Sequence, residues 1–291
     1  MDLPVENLVG EIDLKPADVL LPLYECVVNA IISLQQSKST TDKKIQIQIE
    51  RGKSPKSPNL FNVNTIKSIK VIDNGDGFTS KNLHSYKTAY SRTNKAFGCK
   101  GIGRFTVLAA FEKISVESTF YENNEWKKIE FDFDPLKEIV INDQKEEVPT
   151  SERKTTVELC NLYNKDLVDS SALSLTEIAE ELMTHCLIYY LCDNLPRIEI
   201  YEPSANEIVV VNELYEKLSK EKEREFFVKN IAFKCFITKT EKLSNRKNHY
   251  AYYCANNRVV GGGKSLAKTN SLFVYPISNN GKLFFLDVYL V

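Results

Sequence analysis

The sequence predicts a mixed α/β protein: an open sheet covered by helices over residues 1–195, then a smaller α/β domain over 196–291. Three observations lead there. Runs that alternate apolar and polar residues (KKIQIQIE, IKSIKVID, KKIEFDF, KTTVELC) mark strands. Two segments with an apolar stripe at helical spacing, LYECVVNAIISLQQ and SLTEIAEELMTHCLIYYLC, mark helices that cover them. Beyond Leu195 the pattern turns to further strands around one charged segment.

Taken in order, Pro22 suits the first turn of a helix in which Leu20, Leu23, Val27, Ile31 and Leu34 share a broad apolar face. KKIQIQIE and IKSIKVID follow as antiparallel neighbours joined by the Pro- and Lys-rich RGKSPKSPNLFN. Gly75 to Gly103 reads as a mobile, glycine-rich loop feeding a helix at FTVLAAF. Strands at KISVESTF, KKIEFDF and KTTVELC and the second long helix complete the first domain. In the second, PRIEIYEP and EIVVVN read as strands, LYEKLSKEKEREF as a charged exposed helix, and IAFKCFITK, YAYYCANNRVV and KLFFLDVYLV as strands. The chain ends inside a strand pattern, so the second domain is expected to be incomplete.

Composition narrows the function classes. The chain has 291 residues, 43% hydrophobic and 26% charged, with a formal net charge of -1. That balance gives no global field for wrapping nucleic acid and leaves only local cationic stretches, RGKSPKSP and TKTEKLSNRK. Seven cysteines lie scattered without a C-x-x-C pair, several in apolar runs, which reads as buried reduced thiols in a cytoplasmic protein. Three histidines, none near another, argue against a histidine metal centre or a Ser-His-Asp triad. No uninterrupted apolar run reaches about 18 residues, so no membrane partner is expected.

Three segments carry chemistry. Glu25 and Asn29 are four apart, one turn from each other on a single helix face. Alone, such a pair is also an ordinary solvated face. A carboxamide oxygen beside a carboxylate nonetheless suits a magnesium-dependent hydrolase, the amide as a hard ligand and the acid as a base for water. In VIDNGDGF a strand runs into Asp73, Gly75 and Gly77. This is either a hairpin turn or a carboxylate set to accept from an exocyclic amine beside glycines that admit a flat ring. In FGCKGIGRF, Gly98, Gly101 and Gly103 precede a helix, with Lys100, Ile102 and Arg104 between and after them. Glycine amides and a helix start can cradle phosphate, and the same pattern also serves plain flexible loops.

The order of the three segments resembles the GHKL ATPase superfamily, which includes the gyrase B subunit, the ninety-kilodalton heat-shock chaperone, sensor histidine kinases and MutL-type repair proteins. The likeness spans about residues 15 to 195. A fourth element fits: RKTTVELC is similar to the family's Gly-Thr-x-Val strand, with Thr155 at the adenine-contacting position and Lys154 where the family has glycine. The resemblance implies a Bergerat-type two-layer sandwich of mixed sheet and helices, followed by a transducer-like domain. It implies Glu25 as general base, Asn29 as ligand to Mg²⁺, and Asp73 on the adenine amine with Gly75, Gly77 and Thr155 around it. Gly98, Lys100, Gly101, Ile102, Gly103 and Arg104 become the phosphate lid. YYCANNRVVGGG looks similar to the second-domain turn of the clamp-type members, which makes Lys264, or else Lys268, the γ-phosphate sensor. GGGKS is no P-loop, because Arg258 stands where the first glycine is required.

The expected function is Mg²⁺-dependent ATP binding and slow hydrolysis that closes a lid and pairs two copies, in DNA maintenance or prokaryotic defence. A non-hydrolysing ATP-gated switch for a partner protein, or a DNA-processing factor, are the competing readings.

Overall fold

The computed structural model describes residues 5–37, 42–52, 64–88, 103–134, 138–149, 152–192, 195–216, 218–241, 248–255, 258–259 and 263–291. The architecture is mixed α/β, with two mixed sheets and helices. The chain divides into two compact units. One holds the chain up to Ile178 with Pro196–Val209, and the other essentially Ala179–Leu195 with Val210–Val291.

In chain order the first part comprises α1 (Val5–Gly10), α2 (Leu21–Gln36), β1 (Lys44–Gly52), β2 (Thr65–Asp73), α3 (Ser80–Lys87), α4 (Gly103–Leu108), β3 (Phe111–Glu122), β4 (Glu125–Asp134), β5 (Glu138–Glu147), β6 (Lys154–Leu162), α5 (Lys165–Val168), α6 (Leu175–Leu191), β7 (Arg197–Glu202) and β8 (Glu207–Val210). Its eight strands run β5-β4-β3-β6-β2-β1-β7-β8. The β1–β2 pair is antiparallel, as the alternation predicts, while β1–β7 is parallel. Cross-strand partners point to one face, so Ile49, Ile69, Leu159 and Ile114 form a continuous buried row across β1, β2, β6 and β3.

Helix α2 covers that sheet, packing on β1, β2 and α4. Pro22 sits in its first turn, where a missing N–H is no loss. Leu23, Val27, Ile31 and Leu34 are all essentially inaccessible, each contributing about 2 kcal/mol of burial. Together with the short turn before it, Pro16–Gln36 is apolar and long enough to pass for a membrane span by composition. Its packing on the sheet and α4 accounts for that content. The β3–β4 hairpin closes on Asn123 and Asn124, both at positive φ (55° and 66°), the backbone of a two-residue turn whose twist matches the strands.

Four elements depart from expectation here, the first two being PRIEIYEP and EIVVVN, expected in the second domain and found as β7 and β8 of this sheet, where β7 pairs with β1. The stretch from Gly75, read as loop, contains α3, capped by Thr79, whose side chain accepts from the Asn82 amide. Only Leu83 of α3 is buried, so no apolar stripe announces it. The helix expected at FTVLAAF is six residues long, and β3 begins already at Phe111.

The second unit adds α7 (Val211–Tyr215), β9 (Leu218–Val228), β10 (Ile231–Glu241), β11 (Tyr250–Ala255), β12 (Arg258–Val259), β13 (Lys264–Ser265), β14 (Ile277–Asn279) and β15 (Lys282–Leu290). Its sheet runs β12-β11-β15-β10-β9, with β13 on β11 and β14 on β15. The charged helix expected over LYEKLSKEKEREF is corrected: it is the end of α7 followed by β9, an edge strand in a hairpin with β10. Glu225 lies directly opposite Lys234, whose Nζ is 3.6 Å from it and 3.4 Å from Glu223. Cross-strand charge pairs thus take the place of the turn-spaced pairs a helix offers. Among the described cysteines, Cys186 alone is buried and the rest are half-buried thiols.

Candidate functional site

On α2, Glu25 is half-buried and Asn29 exposed. Four residues on, Ser33 continues the same line, and its Oγ sits so close to Gly75 that a side chain there would collide with it. The helix therefore brings its polar edge against the turn that follows β2.

That turn starts at Asp73, which is 6% exposed on a central strand. Its Oδ1 accepts the Gly75 N–H at 2.9 Å. Burial pushes the Asp73 carboxyl up to about 7, and the Gly75 amide pulls back part of that rise. Asp73 faces Thr155 in the β2–β6 register, and Thr155 faces Ser118 in the β6–β3 register. The three make a polar row set into a face otherwise lined by apolar side chains. Ser118 Oγ and Thr155 Oγ1 are 2.8 Å apart, and the Phe78 N–H donates to Ser118 Oγ at 3.1 Å.

Gly77 lies over this row with φ +70°, a backbone that side chains rarely adopt. A Cβ there would stand 2.7 Å from Ser118 Oγ and 3.2 Å from Thr155 Oγ1. The Gly77 carbonyl accepts from Asn82 Nδ2 at 2.7 Å, which ties the turn to α3. Asn74 fixes its other side, accepting the Lys44 N–H and donating to the Asp42 carbonyl. The segment is a strand-to-helix turn, so the hairpin alternative does not apply.

At the start of α4, Gly103 abuts Glu25: a side chain on Gly103 would collide with the Glu25 carboxylate. The residues expected as base and as last lid glycine are thus neighbours. Arg104, expected at the phosphates, lies among aromatic rings. Its guanidinium lies 4.5 Å from the Phe105 ring centroid, 5.3 Å from Tyr86 and 5.9 Å from Phe133. Burial there lowers its pKa. Gly98, Lys100, Gly101 and Ile102 lie outside the described residues. Lys264 is in the second unit, exposed, with Nζ 5.1 Å from the Tyr253 ring; Lys268 is likewise exposed.

Ser33 and Ser118 belong to this constellation and were not singled out from sequence. Both had a signal. Ser33 extends Glu25-x-x-x-Asn29 by another four, and Ser118 interrupts the inward series Ile114, Val116, Phe120.

The fold matches a solved structure, the B-subunit of the DNA gyrase from Myxococcus xanthus. The TM-score is 0.51 at 12% identity, over 98% of this chain and 84% of that one. At that identity the likeness is one of fold. No protein-family model and no curated protein matches the sequence. The two-unit gyrase-B-like fold therefore stands on structure, and the chemistry rests on the chain's own residues. No cluster of three or more His, Cys, Asp or Glu side chains suited to a metal ion occurs among the described residues.

Proposed function

We propose that the chain binds ATP with Mg²⁺ beside Asp73 and hydrolyses it slowly. The observation that carries this reading is the row Asp73–Thr155–Ser118 beneath Gly77, polar groups buried in an apolar sheet face where the backbone admits no side chain. A purine needs apolar walls, an acceptor for its exocyclic amine and backbone that stays clear of its plane. Asp73 is that acceptor, held in place by the Gly75 amide. The likeness of fold to a gyrase subunit supports the same reading.

Asn29 fits the metal, because Mg²⁺ keeps most of its ligands as water and phosphate and needs few from protein. When bound, the ion neutralises charge on the phosphates. Glu25 receives the proton of the attacking water, and its neighbour Gly103 lets the start of α4 approach without a side chain between them. The wider proposal, in which nucleotide binding pairs two copies of a cytoplasmic protein acting in DNA maintenance or defence, rests on the fold likeness alone.

The test is calorimetric titration of a non-hydrolysable ATP analogue with Mg²⁺, alongside phosphate release from ATP. Glu25→Ala is expected to keep its affinity within about threefold and to lose at least roughly 100-fold in turnover. No binding by the unmodified chain would sink the reading. Unchanged turnover in Glu25→Ala would move the base elsewhere.

A further inference from the structure

The two sheets differ on the face that does not carry the buried core. In the first, the row beside Ile49, Ile69, Leu159 and Ile114 reads Gln48, Lys70, Glu158, Ser115 and Asp132. Lys70 pairs with Glu158 at 3.5 Å and Ser115 donates to Asp132, as a face open to water requires. The second sheet also buries one face, that of Phe236, Thr238, Phe285, Asp287 and Tyr289. Its other face is not polar. Cross-strand partners point the same way, so Tyr253, Leu290, Cys235 and Arg224 form one row across β11, β15, β10 and β9. Lys264, Ala251, Val288 and Ile237 form the next, across β13, β11, β15 and β10. Toward the turn of the β9–β10 hairpin the face continues through the stacked Phe226 and Phe233 to Val228 and Ile231. All of these apolar side chains are half-buried or exposed, with Ile231 at 63%, Val228 at 51% and Tyr253 at 47%. A continuous apolar face four strands wide marks an interaction surface.

Charge indicates what covers it. The strand carboxylates described in this sheet, Glu223, Glu225 and Asp287, all lie on the opposite face, where the first two pair with Lys234. The apolar face instead carries Arg224 at one edge and Lys264 at the other. Both are exposed, and neither has a carboxylate within ion-pair distance among the described residues. Lys239 adds a third cation, its Nζ 4.2 Å from the Phe284 ring centroid. A second copy set face to face would bring this cationic border against its own like and offer no described acid to meet it. An amphipathic helix with acidic residues on both flanks of its apolar stripe answers both features at once. From β13 to β9 is four strand spacings, about 19 Å. A helix about 10 Å across leaves about 5 Å on either side, the reach of a glutamate. Residues 231–239 of β10 run about 30 Å, the length of roughly 20 helical residues. We infer that the open face of the second sheet is the docking site for an amphipathic helix of a partner protein, apolar on one side and acidic along both borders. The inference stands apart from the nucleotide-binding reading and holds whether or not ATP binds.

The probe is a fluorescein-labelled helical peptide of about 20 residues, with leucines along one face and glutamates on both flanks, titrated into the full chain and followed by anisotropy. A control peptide keeps the leucines and replaces each glutamate with lysine. The acidic peptide is expected to saturate with a Kd of about 50 µM or tighter, and the basic one to bind at least about tenfold more weakly. Arg224→Glu combined with Lys264→Glu, both at exposed positions, should reverse that order. Val288→Ser should weaken both peptides by at least about tenfold with a native circular dichroism spectrum. If Val288→Ser does not fold, the charge-reversed variant decides alone. Equal affinity for the two peptides, or an order unmoved by charge reversal, would mean plain apolar adsorption and overturn the inference. So would the absence of saturable binding. A stable dimer that Val288→Ser dissociates would give the face to a second copy instead, and attachment to phosphatidylserine vesicles without affinity for the acidic peptide would give it to a lipid surface.

Discussion

Each unit buries polar, titratable side chains, and two of them, His249 and Asp73, are treated in opposite ways. In the second unit His249 is 1% exposed and both ring nitrogens are spoken for by backbone. Nδ1 accepts the Leu286 N–H at 2.8 Å, which leaves the hydrogen on Nε2 to donate to the Tyr275 carbonyl at 2.9 Å. Phe273 and Phe285 pack around the ring. In the first unit Asp73 is nearly as buried, yet its described hydrogen bond engages Oδ1 with one backbone amide, and glycine rather than aromatic side chains stands beside it. A polar group saturated by backbone is a fastener of the fold. One left partly engaged beside a glycine turn holds interaction capacity in reserve, and its raised pKa records what that reserve costs the fold.

The largest expected effect follows from Asp73→Asn. With its carboxyl pushed up to about 7 from an ordinary 3.8, the folded state holds the Asp73 proton more tightly than the unfolded state. Its contribution to stability is complete below about pH 4 and is lost as the pH rises through 7. Asparagine removes that slope while still offering an oxygen to the Gly75 amide. At pH 8 the variant should be more stable than the unmodified chain, by up to about 4 kcal/mol, and urea titrations at pH 5 and pH 8 measure the difference. At pH 8, where Asp73 is ionised, the variant should also bind adenine nucleotide at least roughly 100-fold more weakly, having exchanged an ionised acceptor for a neutral amide. Greater stability with lost binding is the signature of a site residue. Lower stability at both pH values would make Asp73 a fastener like His249.

His249→Ala should behave in the opposite way. It opens a cavity beside Phe273 and Phe285 and leaves the half-buried Leu286 N–H without its acceptor, a loss of about 3 kcal/mol. Affinity for an ATP analogue should stay within about twofold. A large drop in affinity would break the comparison, because His249 would then act in binding as well as in folding.

The fold was legible where local pattern and long-range pairing agree. The aliphatic stripe of α2 and the alternation of β1 and β2 each name a buried face, and the structure pairs them accordingly. It was illegible where the decisive partner lies far along the chain or where apolar content is thin, as with α3 and its single buried Leu83. In the candidate site, Glu25, Asn29, Asp73 and Gly77 stood out because short fixed spacings place them on one helix face or at a strand end, while Thr155 came only from the resemblance of its strand to that of a known family. Ser118 did not stand out, because a serine inside an alternating strand shows its meaning only when the register sets it beside Thr155.

The charged edge strand allows the smallest and sharpest test of that lesson. KEKERE satisfies a helix through turn-spaced pairs and a hairpin through cross-strand pairs, so composition cannot choose between them. What remains is the apolar partner: β10 supplies Phe233 and Phe236 opposite Phe226 and Glu223, and Phe226 stacks on Phe233 at 5.5 Å. If the aromatic contact and the backbone ladder hold β9, the charges are incidental. Lys234 is more than half exposed, as are Glu223 and Glu225, so water and salt screen the pairs. Lys234→Ala should then shift the melting temperature by no more than about 2 °C, with the small shift vanishing in 0.5 M salt. Phe233→Ala should lower it by several times as much, since it removes burial and stacking together. The reverse ranking would mean that charge pairing selects the strand, and that a reading of β9 from its charges failed for want of the right template rather than for want of signal.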